Sequence, residues 1–389
     1  MIVELNPRPK HAAAEAFPAA GLRGAWCEID LDAVAQNYRQ LRSVVPENVS
    51  IIPCLKRNGY GCGAAAVAVA LASVGAKGFA VASALDAMAI REAGVKGMIL
   101  LYPGVLPESR DLIDKLDLTV TVSTVEELAR WRAGGPIDVF IKADLGFFRA
   151  GASPRNVIKV LREAAQFPGV CVKGLYAHMS ELPTDSPNSA RDQYRRMQAI
   201  LREAEKEGFR PPIVMMSSTE GVLSYPEMDF DAVDPGALLI GVKESAHLKR
   251  TVQLRPALRS ISTSLVSVKR VDQSMGPIPN VPGFYENMLL GVIGFGWGDG
   301  FPRDVPLEAS ALILGKRVPI LPLAHLEHLR VDLTQVPEAR FGDQVLLLGG
   351  DGKERLSIED VAATWNTDVV GLYGNLRDHI PRLYTPVQQ

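Results

Sequence analysis

The sequence predicts an α/β chain: a (β/α)8 TIM-type barrel over residues 24–248, followed by a β-rich C-terminal domain over residues 249–389. Three observations carry this. Before about residue 248, short apolar runs alternate with amphipathic stretches, and eight strand–helix units can be laid out. Parallel strands need crossovers, so such alternation implies a parallel sheet, and eight units suffice to close it. After about residue 250 the texture changes to strand-like runs separated by Gly, Pro and Asp turns, with few helical patterns. Finally, no GxGxxG follows the first strand, which disfavours the doubly wound open sheet that the same alternation allows.

The elements follow in order. Residues 1–23 carry Glu4 and Glu15 among their apolar residues, so no signal-peptide core is expected and the segment reads as a loosely held tail. From Ala25 a short strand-like run precedes a helix. Asp30 or Asp32 suits its N-cap, and Leu31, Val34, Tyr38, Leu41 and Val45 recur at helical spacing. The apolar run with Ile51, Ile52, Cys54 and Leu55 is a buried strand ending at Lys56. A Gly-rich turn (58–63) and an Ala/Val-rich helical stretch (64–74) come next. Further strands are expected at 78–83, 97–104, 118–124, 137–146, 171–180, 212–219 and 232–241, with helices at 84–92, 125–133, 154–166 and 189–207. Beyond them, strand-like runs fall within 255–271, 287–301, 310–323, 329–336 and 343–350, and a short helix at 358–365 closes the domain.

Bulk properties narrow the function. A formal net charge of −2 leaves no electrostatic footprint for nucleic acid or an anionic membrane, so small metabolites are the expected partners. Cys27, Cys54, Cys62 and Cys171 are scattered, without a CxxC pair or metal spacing. They read as reduced thiols of a cytoplasmic protein, with no metal site. No apolar run approaches the ~20 residues a spanning helix needs.

A barrel places its chemistry on the C-terminal ends of its strands. Lys56 falls at such an end, a position that suits a Schiff-base lysine, although that stretch taken alone reads more readily as a solvated strand-end lysine. The stretch Lys56-Arg57-Asn58-Gly59-Tyr60-Gly61-Cys62-Gly63 resembles the lysine motif of the alanine racemase family, whose lysine carries pyridoxal 5'-phosphate (PLP). Further matches run in order along nearly the whole chain. Lys142, Asp144, Gly146, Arg149 and Gly151 are similar to the family's K-x-D-x-G-x-x-R-x-G. The resemblance implies that Arg149 contacts the cofactor and the substrate carboxylate, and that His178 stacks on the pyridine. It also implies that Tyr60 and Thr219, which falls where the family has a phosphate-binding serine, hold the phosphate. Ser218 and Thr219, as hydroxyls before a helix, suit an anion site on their own chemistry, and Gly236 and Ala237 add backbone donors where barrel phosphate sites draw on strands seven and eight.

One departure stands out. The family's V-R-P-G is Val233-Asp234-Pro235-Gly236 here. The family's arginine keeps the pyridine nitrogen unprotonated, whereas an aspartate there would stabilise a pyridinium and strengthen the electron sink. Asp234 as a turn residue facing away, before Pro235, is the alternative.

The C-terminal domain matches more loosely. Residues 296–303 (GWGDGFPR) resemble the family's G-Y-x-D-G-x-x-R. Leu326-Glu327 stands where the family has Met-Asp, which makes Leu326 a substrate contact, and the phosphate-touching tyrosine of this domain falls on Val370. The family's second base is a tyrosine reaching across a dimer interface. Its S-Y-G motif is absent, and Tyr285 is the nearest candidate. The resemblance thus implies a cytoplasmic homodimer with shared sites that racemises a small amino acid, with Lys56 and Tyr285 as its two bases. One-sided carbanion chemistry, such as aldol cleavage or decarboxylation, and a catalytically reduced PLP-binding protein are the alternatives.

Overall fold

The computed structural model of the protein describes residues 24–179, 189–243, 248–350 and 353–388. The tail expected over residues 1–23 lies outside them. The chain divides into two units. One is built from the first strand, β1 (Ala25–Asp30), and Ala257–Pro386; the other is Leu31–Pro256 with Val387 and Gln388.

The second unit is the barrel. Its strands are β2 (Ser50–Ile51), β3 (Gly78–Val81), β4 (Met98–Leu101), β5 (Leu118–Val122), β6 (Ile137–Ala143), β7 (Val170–Ala177), β8 (Ile213–Met215) and β9 (Ala232–Val233). They pair in parallel in the order β2-β9-β8-β7-β6-β5-β4-β3. A parallel bridge between Cys54 and Ala80 joins the two ends of that order and closes the ring. Ile52, Ala80, Leu100, Phe140, Tyr176, Met215 and Ala232 pack into one buried cluster drawn from around the ring, so the interior is a filled core. The runs are apolar on both faces because helices cover them outside. Several of those helices begin at a side-chain cap: Ser83 accepts from Asp86 N, Thr124 from Glu127 N and Ser189 from Asp192 N.

The lysine strand is shorter than the apolar run suggested. Pro53 lacks an N–H and breaks the ladder. Pairing resumes irregularly, with Ile52 N donating to Val233 O (2.8 Å), Cys54 N to Pro235 O (2.9 Å) and Leu55 N to Ala80 O (2.7 Å). Those bonds carry Lys56 to the same end of the barrel as the other strand termini.

The first unit is β-rich, as the sequence implied. Strand β10 (Leu258–Arg270) runs antiparallel to β1 and β15 (Gln344–Leu348), and its far half pairs with β11 (Leu289–Ile293). With β12 (Ser310–Ile313), β13 (Lys316–Leu321) and β14 (Leu329–Asp332) these form the closed circuit β10-β11-β14-β13-β12-β15. Strand β16 (Arg382–Thr385) lies parallel to β1. A helix at Ile358–Thr364 matches the expectation, and a second, Val369–Asn375, is capped by Asp368. Ala25–Asp30 was read with the barrel segment, yet its neighbours are β10 and β16, and the contacts divide at residues 256 and 257. The alternation of a six-residue strand records which side chains are buried, not which strands adjoin it. Among the described residues, no helix is long and apolar enough to cross a membrane, and no group of three or more His, Cys, Asp or Glu could hold a metal ion.

Candidate active site

Lys56 opens a single turn of unusual hand. Arg57, Asn58, Gly59 and Tyr60 have φ of 55°, 55°, 61° and 56°, and Gly61 follows at 79°. Each left-handed non-glycine residue costs about 1–2 kcal/mol, so such a turn persists only when its surroundings over-determine it. Asn58 supplies much of that determination. Its N–H donates to Asp86 Oδ1 (3.1 Å), and its own Oδ1 accepts from Ala64 N (2.9 Å), the first residue of the following helix. Main-chain bonds from Gly59 N to Leu55 O (3.0 Å) and Gly63 N to Asn58 O (2.8 Å) complete the lock. The result holds the Lys56 ammonium over the Tyr60 ring, 5.7 Å from its centroid.

Tyr60 leads to the second feature. A β-carbon on residue 236 would come within 2.1 Å of the Tyr60 hydroxyl, so only glycine lets the phenol reach the loop after β9. Thr219 Oγ1, at the end of β8, accepts from Gly236 N (3.2 Å) and Ala237 N (3.1 Å). Two consecutive amides, an aliphatic hydroxyl and a phenol therefore converge at the ends of β8 and β9, a donor set suited to a phosphate. Ser218 is buried beside them, and its carbonyl accepts from Val222 N (3.0 Å).

The loop after β6 is organised by one carboxylate. Asp144 Oδ1 accepts from the amides of Gly146 (2.9 Å), Phe147 (2.9 Å) and Phe148 (3.1 Å), and Oδ2 from Arg149 N (2.9 Å). Partial burial works against this carboxylate, but the four amides hold it below the usual range. The loop exposes Arg149, whose guanidinium lies over the Phe147 ring at 4.3 Å. Phe147 in turn meets His178, just beyond β7, edge to face at 5.3 Å. Burial, then the charges of Lys56, Arg149 and Lys142, push the His178 imidazole down to about 4, so it is neutral near pH 7. Lys142 is buried within β6, and burial followed by Arg149 brings its amine down to about 8.

Asp234 does not turn outward. It is 8% exposed, and its Oδ2 accepts from the Tyr102 hydroxyl at 2.5 Å. Burial pushes its carboxyl up to about 6, against the Tyr102 hydrogen bond and the attraction of Lys56 and Lys142. Tyr102 packs its ring 5.7 Å from that of Tyr176, whose hydroxyl pairs with Thr121 Oγ1 at 3.0 Å. None of Tyr102, Tyr176, Thr121 or Asp86 stood out in the sequence. A signal for Tyr102 was present: it is the first residue with a polar atom after the apolar run MILL, where a barrel strand ends.

The remaining candidates belong to the β-rich unit. Tyr285 is 43% exposed, and its hydroxyl lies within hydrogen-bond distance of Thr334 Oγ1 (2.8 Å) and Asp332 Oδ2 (3.1 Å). Leu326 is 52% exposed, and its carbonyl accepts from Gly298 N (2.9 Å). In the same motif Asp299 is buried and bridges Gly296 N (2.9 Å) and the His379 ring (2.8 Å). The barrel therefore gathers Lys56, Tyr60, Arg149, His178, Ser218, Thr219, Asp234, Gly236 and Ala237 at its strand ends. Tyr285 and Leu326 belong to the other unit.

Known proteins share both the sequence and the architecture. The alanine racemase of Halothermothrix orenii is 28% identical over 369 residues, 93% of this chain and 97% of that protein. That of Desulfovibrio desulfuricans is 29% identical over 371 residues, 93% and 98% respectively. Among solved structures, the alanine racemase of Bacillus anthracis with bound L-Ala-P superposes with a TM-score of 0.83 at 26% identity, covering 94% of this chain and 95% of that one. The E. faecalis enzyme gives 0.82 at 27%, covering 93% and 98%. The alanine racemase N-terminal domain model matches residues 29–244, a span holding the lysine turn and all eight barrel strands, and the C-terminal domain model matches residues 283–384. With more than half of its length matched in this way, the chain belongs to the alanine racemase family.

Proposed function

We propose that this chain is a PLP-dependent amino-acid racemase, with alanine the first substrate to test. The observation that carries this reading is the run of contacts from the Lys56 ammonium to the Tyr60 ring, and from the Tyr60 hydroxyl to the Gly236 loop capped by Thr219. The residues present fit the cofactor. Thr219, Tyr60 and the amides of Gly236 and Ala237 suit its phosphate, with Ser218 adjoining, and the Lys56 amine suits its aldehyde. A neutral His178 can lie against an aromatic face without bringing a charge, and the exposed Arg149 can take a substrate carboxylate in a bidentate grip.

When bound, PLP supplies the electron sink for the pair left at Cα once the proton departs. Lys56 takes or returns that proton on one face. A single base cannot efficiently invert a centre it reaches from one side, so a second is needed on the other. Tyr285 of a partner protomer is the proposed second base, in a homodimer whose sites draw on both chains. Its exposed phenol, held by Thr334 and Asp332, supports that role. Cys27, Cys54, Cys62 and Cys171 form no disulfide, which accords with a reducing, cytoplasmic setting.

A second reading, one-sided chemistry such as aldol cleavage or decarboxylation, is favoured by the buried carboxylate of Asp234 at the strand ends. One experiment separates the two. Incubation with L- and D-alanine in deuterium oxide is expected to label Cα from either enantiomer with loss of optical rotation, and Lys56→Ala should abolish both. Label entering with optical rotation retained supports the one-sided reading instead.

A further inference from the structure

A buried carboxyl and a partly buried phenol span the barrel's interior without belonging to the lysine turn or the phosphate cradle. Tyr102 follows β4 and Asp234 follows β9, and the 2.5 Å hydrogen bond from the phenol to Oδ2 ties these two strand ends together. The pair is held from both sides. Asp234 N donates to Ser217 O (3.1 Å), the Tyr102 ring packs on Tyr176, and Tyr102 N donates to Val81 O (2.8 Å). The charged and titratable groups facing Asp234 are Lys56, Lys142, Cys54, Tyr176 and Tyr102 itself. A carboxylate in such a place is costly unless something opposite repays its desolvation. The Tyr102 hydrogen bond offsets part of that cost, and the two lysines act on it through space.

PLP would bring the missing partner. Its aldehyde and its phosphate arm sit on neighbouring ring carbons, and the ring nitrogen lies across the ring from the aldehyde. With the aldehyde at Lys56 and the phosphate at Thr219, Gly236 and Ala237, the nitrogen is left to face away from the lysine. Asp234 lies two residues before the first cradle amide, with its carboxylate turned into the barrel. Resting on the reading that this site holds PLP, we propose that Asp234, oriented by Tyr102, is the ring-nitrogen partner and keeps that nitrogen protonated.

A carboxylate against the nitrogen favours the pyridinium, and a protonated ring is the stronger electron sink. Tyr102 is a positioning residue. By donating to one carboxylate oxygen it aims the group and favours its ionised form, the form that can hold a pyridinium. The lysine-side chemistry is untouched by this assignment, which concerns how strongly the ring draws electrons.

The test is a pH titration of the ring-nitrogen resonance in protein loaded with PLP labelled with nitrogen-15. In the wild-type protein the resonance is expected at the pyridinium position through neutral pH. Asp234→Asn should move it to the unprotonated position, and Asp234→Glu should restore the pyridinium in part. Tyr102→Phe, which keeps the ring against Tyr176, should lower the midpoint by about one pH unit, a tenfold change in the protonation equilibrium. A wild-type nitrogen that is unprotonated near neutrality, or one that Asp234→Asn leaves protonated, overturns the proposal. Should Asp234→Asn fail to fold, an unmoved midpoint in Tyr102→Phe overturns the dyad alone. Borohydride reduction of the same samples keeps the two levels apart. Cofactor fixed to lysine with an unprotonated nitrogen removes this inference only, while the absence of fixed cofactor removes the site reading and the inference with it.

Discussion

The Tyr60 hydroxyl occupies the space that a side chain at Gly236 would need, 2.1 Å from where its β-carbon would sit. The left-handed turn behind Lys56 and the amide loop after β9 thus fit only as a pair. Gly236→Ala is expected to push the phenol away and spoil the cradle, lowering PLP affinity by roughly tenfold or more, the scale of one lost charge-assisted hydrogen bond. Equilibrium dialysis of the cofactor against wild type and variant measures this. Equal affinities would separate Tyr60 from the phosphate.

Asp144 should matter to a loop rather than to the barrel. Its carboxylate takes four amides between Gly146 and Arg149, so Asp144→Ala leaves those donors to water. The expected cost is about 1–3 kcal/mol in urea unfolding, with a raised KM for amino acid because Arg149 is no longer held. Asp144→Asn should keep part of both. A variant with wild-type KM would remove Arg149 from substrate binding.

His178 should not titrate in the neutral range. With its imidazole pushed down to about 4, its ring-proton resonances are expected to stay constant from about pH 8 to pH 5.5 and to shift only in more acid solution. A midpoint near 6.5 would mean that the ring is far more solvated than its place among Lys56, Arg149 and Lys142 allows.

Asp234 should make the cofactor-free fold weaker as pH rises. Its folded value, about 6, lies above the 3.8 of an ordinary aspartate, so the fold favours the acid form. Its contribution is fully present below the unfolded value and is lost as pH climbs through the folded one, a change of roughly 3 kcal/mol. Asp234→Asn carries no such loss. In urea melts of cofactor-free protein, its stability relative to wild type should improve from pH 4 to pH 7 and then level off. A flat or falling difference would contradict the burial of an ionisable carboxyl there.

Much of this was legible in the chain. The alternation gave the barrel because parallel strands buried on both faces leave long apolar runs, and the helix at Pro154–Gln166 begins and ends where its periodicity does. Asp234 was visible as a departure from the family's arginine. Its partner was not: Tyr102 is 132 positions away, and no local pattern records a contact made across a barrel's interior. The hand of the Lys56 turn was hidden for another reason. Arg57 and Tyr60 have no intrinsic liking for positive φ, and Gly59, Gly61 and Gly63 suggested an ordinary turn. Ala25–Asp30 was recognised as a strand, but its pairing with Arg382–Thr385 depends on a segment at the far end of the sequence.

The central claim is that Lys56 binds the cofactor aldehyde beside the Tyr60 and Gly236 cradle. Peptide mass spectrometry after borohydride reduction of PLP-loaded protein tests it most directly. The account predicts one reduced phosphopyridoxyl group per chain, on the peptide carrying Lys56 and lost in Lys56→Ala. A label on Lys142, a label spread over surface lysines, or no stable label would contradict it.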